Sequence, residues 1–428
     1  MWQVPVASAM ELQSRIDELS VDIERQKEVL RQLETSKSLL QRQLNSILDP
    51  VARLPLEISS EIFIRCLPSL PKLGASHIPL LLLNVCNAWS DIALSTPALW
   101  AAIRVESPRA AGLEKGLQIW LQRARYRPLS LSFGGCFDDD VAAVVRQHTQ
   151  QLKSFEVYHD DPNQVDDVDP FLGMGPGPFS SLETLTIGAS PLIGMDFSLD
   201  STLEMFRLAP NIVECIFDMD EDCTMSDIDE YTGEYLPGHL VLPNMRRLRF
   251  GRSLEPGTIS GPDTILRHLS LPRLQTLYTS LWDVTDNDLL SFLERSSPPL
   301  RHLTLGVGDS GAFSGLEQIL RLVPNLTHFG LYKRNASFIQ DLFAALSQSS
   351  CRLIPILQSL HVVSSMTDVS ESMWEVLHHA LSVRRTHLTD FTLRGPFPAP
   401  TPEMCSAFRE LCAGGMEIYI GNKEQNYV

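Results

Sequence analysis

Apolar residues near the start of the chain recur alternately every four and every three positions. The series is Leu12, Ile16, Leu19, Ile23, Gln26, Leu30, Leu33, Lys37, Leu40, Leu44 and Ile47. Nine of these eleven residues are apolar, and no Gly or Pro interrupts them before Pro50. A seven-residue period sustained this long predicts a coiled-coil helix over residues 10–49, preceded by a tail of residues 1–9. The apolar stripe needs a partner, either a second chain, which gives self-association, or the helix's own domain, onto which it folds back.

A second pattern predicts a small helical domain over residues 50–105. Leu54, Ile58 and Ile62 follow one another at helical spacing, and a later helical pattern runs from Ile78 until Thr96-Pro97 ends it. A domain of about fifty residues buries a limited share of its surface, so this one has more apolar side chains than it can cover. A connecting helix is expected over residues 106–127.

The remainder of the chain repeats. Segments of the pattern L-x-x-L-x-L begin at residues 152, 182, 212, 245, 274, 300, 326, 357 and 388, and weaker copies begin at 128 and 416. The nine clear copies start 26 to 33 residues apart, and helical patterns lie between them. Each unit is therefore a strand, a turn and a helix, and periods of this size predict a solenoid. The expected fold is an α/β solenoid over residues 128–421, with a parallel sheet covered by helices, and a tail over 422–428.

Two segments of the helical domain resemble a known family. LPLEISSEIFIRCL, followed by LLLNVCNAWSDIALSTPALW, resembles an F-box, particularly the F-box-like motif of fungal proteins, over roughly residues 52–103. Asn87 is a departure, since the family often has a basic residue after the Cys. The resemblance implies a helix bundle that docks onto a Skp-type adaptor, which bridges to a cullin–RING ubiquitin ligase. It places nine residues on or beside the adaptor contact: Leu54, Pro55, Ile58, Ile62, Phe63, Val85, Trp89, Leu99 and Trp100.

The alternative is that these residues are ordinary core residues of a small domain. For Val85, Cys86 and Trp89 the core interpretation is the better one. For Leu54, Pro55 and Phe63 contact with a partner is favoured, because the domain cannot bury all its apolar side chains.

The repeats resemble the leucine-rich-repeat family, with one departure. Nine residues after the first Leu, where the family carries an asparagine ladder, only Asn335 fits, so an irregular horseshoe or arc is expected. Residues between the leucines point away from the core and form a mixed polar and aromatic face. The residues expected to bind a target protein there are Arg249, Tyr278, His302, His328, Tyr332, His361 and Arg394.

Charge narrows the set of partners. The chain has 35 basic and 52 acidic residues, a formal net charge of −17. Residues 155–240 hold nineteen acids and one base, Arg207, so the acidity is local. This balance argues against nucleic acid or an anionic membrane surface as the main partner, and favours a target with a basic segment. The acidic insertions, 159–181 and 218–240, are expected to be loops. Asp218, Asp220 and Asp222 have the spacing of a calcium loop, but Cys223 stands where that loop needs Gly.

Candidate chemistry is sparse. The chain has no Walker loop, GxSxG, GxGxxG or HExxH motif, so we expect neither an enzyme nor a cofactor nor a metal site. Eight cysteines are scattered without a CxxC, and no secretory signal or membrane-length apolar run is visible, which favours a cytoplasmic or nuclear protein. The leading hypothesis is the substrate-recognition subunit of a Skp–cullin–F-box ubiquitin ligase. The alternative is a non-catalytic leucine-rich-repeat scaffold without ligase association.

Overall fold

The computed structural model describes residues 6–74, 76–106, 112–134, 139–159, 179–189, 197–218, 225–226, 239–251, 263–281, 284–307, 313–333, 335–348, 353–367, 369–422 and 424–428. The chain divides into two compact units. The helical unit comprises Met1–Ile103 and Ile119–Arg127, and the repeat unit comprises Arg104–Gln118 and Pro128–Val428.

Three α-helices form most of the helical unit: α1 (Val6–Leu48), α2 (Leu56–Arg65) and α3 (Asn87–Ser95). Short 3-10 turns cover Val51–Arg53, Leu81–Asn84 and Pro97–Trp100. Proline stands before or at the start of several of these elements, where its missing N–H costs no hydrogen bond. Residues 119–124, the second half of helix α4 (Leu113–Ala124), complete the unit.

Helix α1 confirms the long helix expected over residues 10–49. The nine apolar residues of its seven-residue period expose between 50% and 69% of their surface, so the helix does not fold back onto its own domain. Its C-terminal end is fixed to α3 and the turn before it. The Asn45 amide donates to the carbonyl oxygen of Val85 at 2.9 Å, and the indole N–H of Trp89 donates to the carboxylate of Asp49.

A sheet of twelve strands begins at β1, which spans the boundary at Ile103, and its other strands lie in the repeat unit. The strands, in chain order, are β1 (Ala102–Val105), β2 (Leu129–Gly134), β3 (Leu152–His159), β4 (Thr184–Ala189), β5 (Phe197–Ser198), β6 (Glu214–Asp218), β7 (Met225–Ser226), β8 (Leu240–Val241), β9 (Arg247–Phe250), β10 (Leu269–Ser270), β11 (Thr276–Leu281), β12 (His302–Val307), β13 (His328–Lys333), β14 (Ser359–Val363), β15 (Asp390–Arg394) and β16 (Glu417–Gly421). The large sheet runs β1-β2-β3-β4-β6-β9-β11-β12-β13-β14-β15-β16, and β5 with β7 and β8 with β10 form small separate pairs.

In the described residues α-helices follow β2, β4, β11, β12, β13, β14 and β15, as the repeat pattern predicts for these units. They are α5 (Asp139–Arg146), α6 (Leu199–Leu208), α7 (Asp286–Ser296), α8 (Phe313–Leu322), α9 (Ala336–Ser347), α10 (Glu371–Arg384) and α11 (Pro402–Ala413), with a 3-10 turn at Asp263–His268. Side-chain caps start several of them. Thr285 and Asp288 form a reciprocal capping box on α7, and Thr401 caps α11. Asn335 accepts a hydrogen bond from the backbone N–H of Ser337 and so caps α9.

The repeat register predicted from the leucines is confirmed. Every L-x-x-L-x-L copy, including the weak ones at 128 and 416, contributes a strand to the large sheet, and neighbouring copies pair in parallel. The fourth-position residues are buried, for example Leu277, Leu303 and Phe329. Strand β1 was not predicted by the repeat pattern, because its sequence AIRV lies at the end of the segment expected to form the helical domain. The described residues therefore have an α/β solenoid-like arrangement.

Residues 424–428, expected to belong to a tail, pack against β16. Gly421 and Asn426 form an antiparallel bridge, and the backbone N–H of Tyr427 donates to the carbonyl oxygen of Ile420 at 2.8 Å. The Tyr427 ring lies edge-on to Phe397 with centroids 6.5 Å apart. The end of the chain therefore folds back along β16.

Candidate docking surfaces

Helix α2 presents two different faces. Ser59 and Phe63, four residues apart, are buried, whereas Ile58 and Ile62, one position earlier in each turn, expose 51% and 38% of their surface. Leu54 and Leu56 at the start of the helix are also exposed. We call Leu54, Leu56, Ile58 and Ile62 the α2 patch. These four large aliphatic side chains are exposed within nine residues, which makes the segment a candidate interaction site.

The core below the α2 patch is aromatic and well packed. Phe63 lies against Trp89 with ring centroids 4.9 Å apart, and Trp100 lies edge-on to Trp120 at 5.0 Å. The Trp100 indole N–H donates to the carbonyl oxygen of Ala93 at 2.9 Å, and the Arg123 guanidinium lies over its ring. A buried indole needs such a partner, so Trp100 is fixed in position.

This packing corrects part of the residue set expected from sequence to contact an adaptor. Phe63, Leu99 and Trp100 are almost completely buried, so they support the surface from below and a docking protein would not touch them. Phe63 faces inward because it shares a helical face with Ser59, whose hydroxyl donates to the carbonyl oxygen of Val51 at 3.1 Å.

The other members of the set retain accessible surface. Leu54, Pro55, Ile58 and Ile62 are exposed, and Val85 and Trp89 are partly buried. Leu56 was not in the sequence-based set, although its exposure matches that of its neighbours. Helical spacing places Leu56 on a different face of the helix from Ile58, so the sequence did not indicate that Leu56 is a candidate contact residue.

The second candidate surface is the strand face of the repeat unit, the side of the large sheet on which the residues between the leucines lie. Parallel pairing stacks equivalent residues in rows. One row consists of Glu156, Thr186, Ile216, Arg249, Tyr278, Thr304, Gly330, His361, Thr392 and Tyr419. The parallel register gives each side chain of this row a direct neighbour in the next repeat.

Arginine and tyrosine pair along this row and beside it. The guanidinium of Arg249 lies 4.7 Å from the ring centroid of Tyr278, and that of Arg394 lies 5.1 Å from Tyr419. Such cation–π contacts hold long side chains in place, and Arg249, Tyr278 and Tyr419 are partly buried, whereas Arg394 is exposed. Tyr419 was missed from sequence because it lies in the weak last copy, MEIYIG. Continuing the row by one repeat would have found it.

His302 and His328 are paired neighbours on β12 and β13, and their rings stack with centroids 4.3 Å apart. Their equivalent positions in adjacent repeats place them side by side. Burial, then the charges of His328 and Arg301, lowers the pKa of His302. The Thr327 hydroxyl lies 2.9 Å from Nδ1 of His328. The pair therefore favours a neutral imidazole at His302 at neutral pH.

Two further residues of the expected target-binding set, His361 and Tyr332, differ in how far they are buried. His361 is partly buried, and burial, then the charge of Arg394, lowers its pKa, while Asp390 acts in the opposite direction. Tyr332 exposes only 7% of its surface and packs beside Val363, so it belongs to the packed part of the face. In the paired strands Tyr332 lies between Gly306 and Val363.

Two further features of the described residues concern metal ions and membrane-spanning helices. Within the described ranges, no three His, Cys, Asp or Glu side chains lie close enough together to hold a metal ion. No described helix has the length and apolar character required to cross a membrane. Most of both acidic insertions, including Asp220, Asp222 and Cys223, lies outside the described residues.

No known protein family matches the chain, and no curated protein matches it.

Proposed function

We propose that the protein is a substrate receptor of a cullin–RING ubiquitin ligase, in which the α2 patch docks onto a Skp-type adaptor and the strand face holds a target protein. The observation that carries this proposal is the contrast within α2. The inward face of the helix closes an aromatic core, while Ile58 and Ile62 remain exposed together with Leu54 and Leu56.

The sequence resemblance and the exposure of α2 support the same docking surface. The four aliphatic residues lie within the LPLEISSEIF segment that resembles an F-box opening. Full burial of an exposed aliphatic side chain is worth about 1.5–3 kcal/mol, and these four, which are 38–51% exposed, would each contribute about half of that at an interface.

On the repeat unit, we propose that a leucine-rich-repeat arc presents the strand face to the target. Arg249 with Tyr278 and Arg394 with Tyr419 supply two cation–π pairs. Arg and Tyr are among the residues that contribute most to protein interfaces. A basic segment in the target remains the complement expected for the acidic insertions. The receptor carries out no chemistry, and acts by raising the concentration of target lysines near the ubiquitin-carrying enzyme.

The test is co-purification of the adaptor with the full-length chain after Ile58→Glu and Ile62→Glu substitution. Each carboxylate would have to lose its hydration at the interface, so we expect adaptor affinity to fall about tenfold or more for each substitution. The matched control is Ile356→Glu, because Ile356 in the repeat unit is an isoleucine of similar exposure, 42%. Circular dichroism and thermal unfolding show whether each variant remains folded.

The outcomes separate the receptor from the scaffold without ligase association. A receptor loses the adaptor in the α2 variants and keeps it in the control. A wild-type chain that binds no adaptor and no cullin, although folded, favours the scaffold. Adaptor binding that is unchanged by both glutamates would refute docking through the α2 patch.

A further inference from the structure

The apolar seam of α1 includes two polar residues, Gln26 and Lys37. The seam is exposed along its whole length, and both polar residues are exposed as well. In a two-stranded coiled coil, polar residues at core positions fix the register and orientation of the helices. The positions of these two residues therefore show which pairing the helix accepts.

A parallel, in-register pair of copies sets each residue against itself. Lys37 then faces Lys37 of the second copy, which places two ammonium groups in one core layer. Gln26 faces Gln26, so two separate layers of the seam are polar. Like charges in close contact are unfavourable, more so where water is partly excluded.

An antiparallel pair can be aligned so that the two polar residues fall in one layer. With Ile16 opposite Ile47 of the second copy, Gln26 lies opposite Lys37, and the amide oxygen of Gln26 is able to accept a hydrogen bond from the ammonium group. The remaining layers are all apolar: Ile16 with Ile47, Leu19 with Leu44, Ile23 with Leu40, and Leu30 with Leu33.

Neighbouring antiparallel registers do not share this property. A shift of one heptad in either direction sets Gln26 against Leu30 or Leu44, and sets Lys37 against Leu19 or Leu33. Each shift leaves polar groups facing leucine, which costs free energy because their hydrogen bonds to water are lost. The seam thus distinguishes one alignment from its neighbours.

The flank of the seam agrees with this alignment. It brings Lys27 beside Glu34 of the second copy, and twofold symmetry repeats the contact. In the single chain, Lys27 contacts Glu24 at 2.8 Å with both side chains well exposed, a surface pair that contributes little and is easily exchanged.

We propose that the protein forms an antiparallel homodimer through α1, centred between Arg31 and Gln32, with Gln26 of each copy opposite Lys37 of the other. The inference is independent of the proposed ligase function, because it uses none of the α2 patch or strand face. At 1.5 Å per residue, Leu48 of one copy lies level with Arg15 of the other, and the two α1 C-terminal ends are about 50 Å apart.

The first test is disulfide cross-linking of the full-length chain. Ile16→Cys and Ile47→Cys variants are prepared singly, mixed, re-equilibrated and oxidised, and the linked peptides are identified by mass spectrometry. The proposal predicts a link between positions 16 and 47 in the mixture, and none joining 16 to 16 or 47 to 47. Links between identical positions would show a parallel dimer, and a monomer by light scattering at micromolar concentration would also overturn the proposal.

The second test adds a negative charge that should stabilise an antiparallel dimer and destabilise a parallel one. Gln26→Glu places a carboxylate opposite each Lys37 in the antiparallel dimer, and we expect its dissociation constant to fall about two- to fivefold. In a parallel dimer the same substitution places two carboxylates together and weakens the dimer. The matched control is Gln32→Glu, which lies off the seam and leaves dimerisation unchanged. A weaker dimer for Gln26→Glu would overturn the antiparallel assignment.

Discussion

His302 and His328 stack ring against ring on adjacent strands, with their centroids 4.3 Å apart. The parallel register produces this arrangement, since each residue occupies the third position of its repeat. Two protonated imidazoles at this distance repel each other, and burial adds to the cost for His302. The stack is consequently sensitive to pH.

We predict that the protein loses stability as the pH falls from about 7.5 to about 5. The pKa of His302 is lowered in the folded chain, so below about pH 6.5 the unfolded chain binds more protons than the folded chain and unfolding is favoured. The His302→Asn variant should lose less stability over this interval than the wild type. Urea denaturation at both pH values measures the difference. His379→Asn, on a histidine of α10 outside the stack, is the control. Equal losses for His302→Asn and the wild type would contradict the prediction.

A buried arginine holds α10 to the repeat before it. The Arg384 guanidinium donates to the carbonyl oxygens of Leu346, Leu353 and Ile354 at 2.8–3.0 Å. Arg384→Met leaves these carbonyls without that donor, and we expect a loss of about 2–4 kcal/mol in the free energy of unfolding. Arg385→Met is the matched control, because Arg385 is adjacent and exposed. Urea midpoints for the two variants should differ clearly, and similar midpoints would show that the carbonyl contacts contribute little.

Gly330 lies where the strand face has no room for a side chain. A Cβ atom at this position would come within 2.8 Å of the Thr304 hydroxyl and 2.9 Å of its methyl group. We expect Gly330→Ala to cost about 1–3 kcal/mol. Thr304→Ala in the same chain should recover part of this loss, which a double-mutant cycle by thermal or urea unfolding would measure. Fully additive effects would rule out steric crowding as the cause.

Cysteine reactivity should differ sharply between the surface and the sheet. Burial, then the charge of Glu214, raises the pKa of Cys215, and Cys86 is also buried, whereas Cys66 at the end of α2 is exposed. Since the thiolate is the reactive form, iodoacetamide should modify Cys66 within minutes in the native protein and leave Cys215 and Cys86 intact until urea is added. Peptide mass spectrometry measures each site. Rapid native modification of Cys215 would show that β6 opens readily.

Much of the repeat unit was predictable because its pattern carries two kinds of information. The leucine spacing gives the strand, and the repetition gives the parallel neighbour. Strand β1 was not predicted, because Ala102–Val105 lacks the repeat pattern. Asn335 was considered as a ladder residue, but its side chain bonds locally to Ser337, a competition that spacing does not reveal.

The docking surfaces were less predictable because burial depends on neighbours distant in sequence. Phe63 and Ile62 are adjacent apolar residues of one helix, and the packing of Phe63 against Trp89, distant in sequence, distinguishes the buried residue from the exposed one. Tyr332 occupies a row that was expected to be open, yet it is buried and packs beside Val363 of β14. The sequence thus indicated which segments contribute to the docking surfaces, and tertiary packing determines which residues of those segments are exposed.

The chain end that folds back along β16 has a consequence for assembly. An uncovered terminal strand offers unpaired N–H and C=O groups to any extended polypeptide, including another copy of itself. Here Tyr427 and Asn426 already occupy part of that boundary. This end of the sheet is thereby protected against strand-by-strand polymerisation. Removal of residues 422–428 would expose the edge of β16 and promote aggregation.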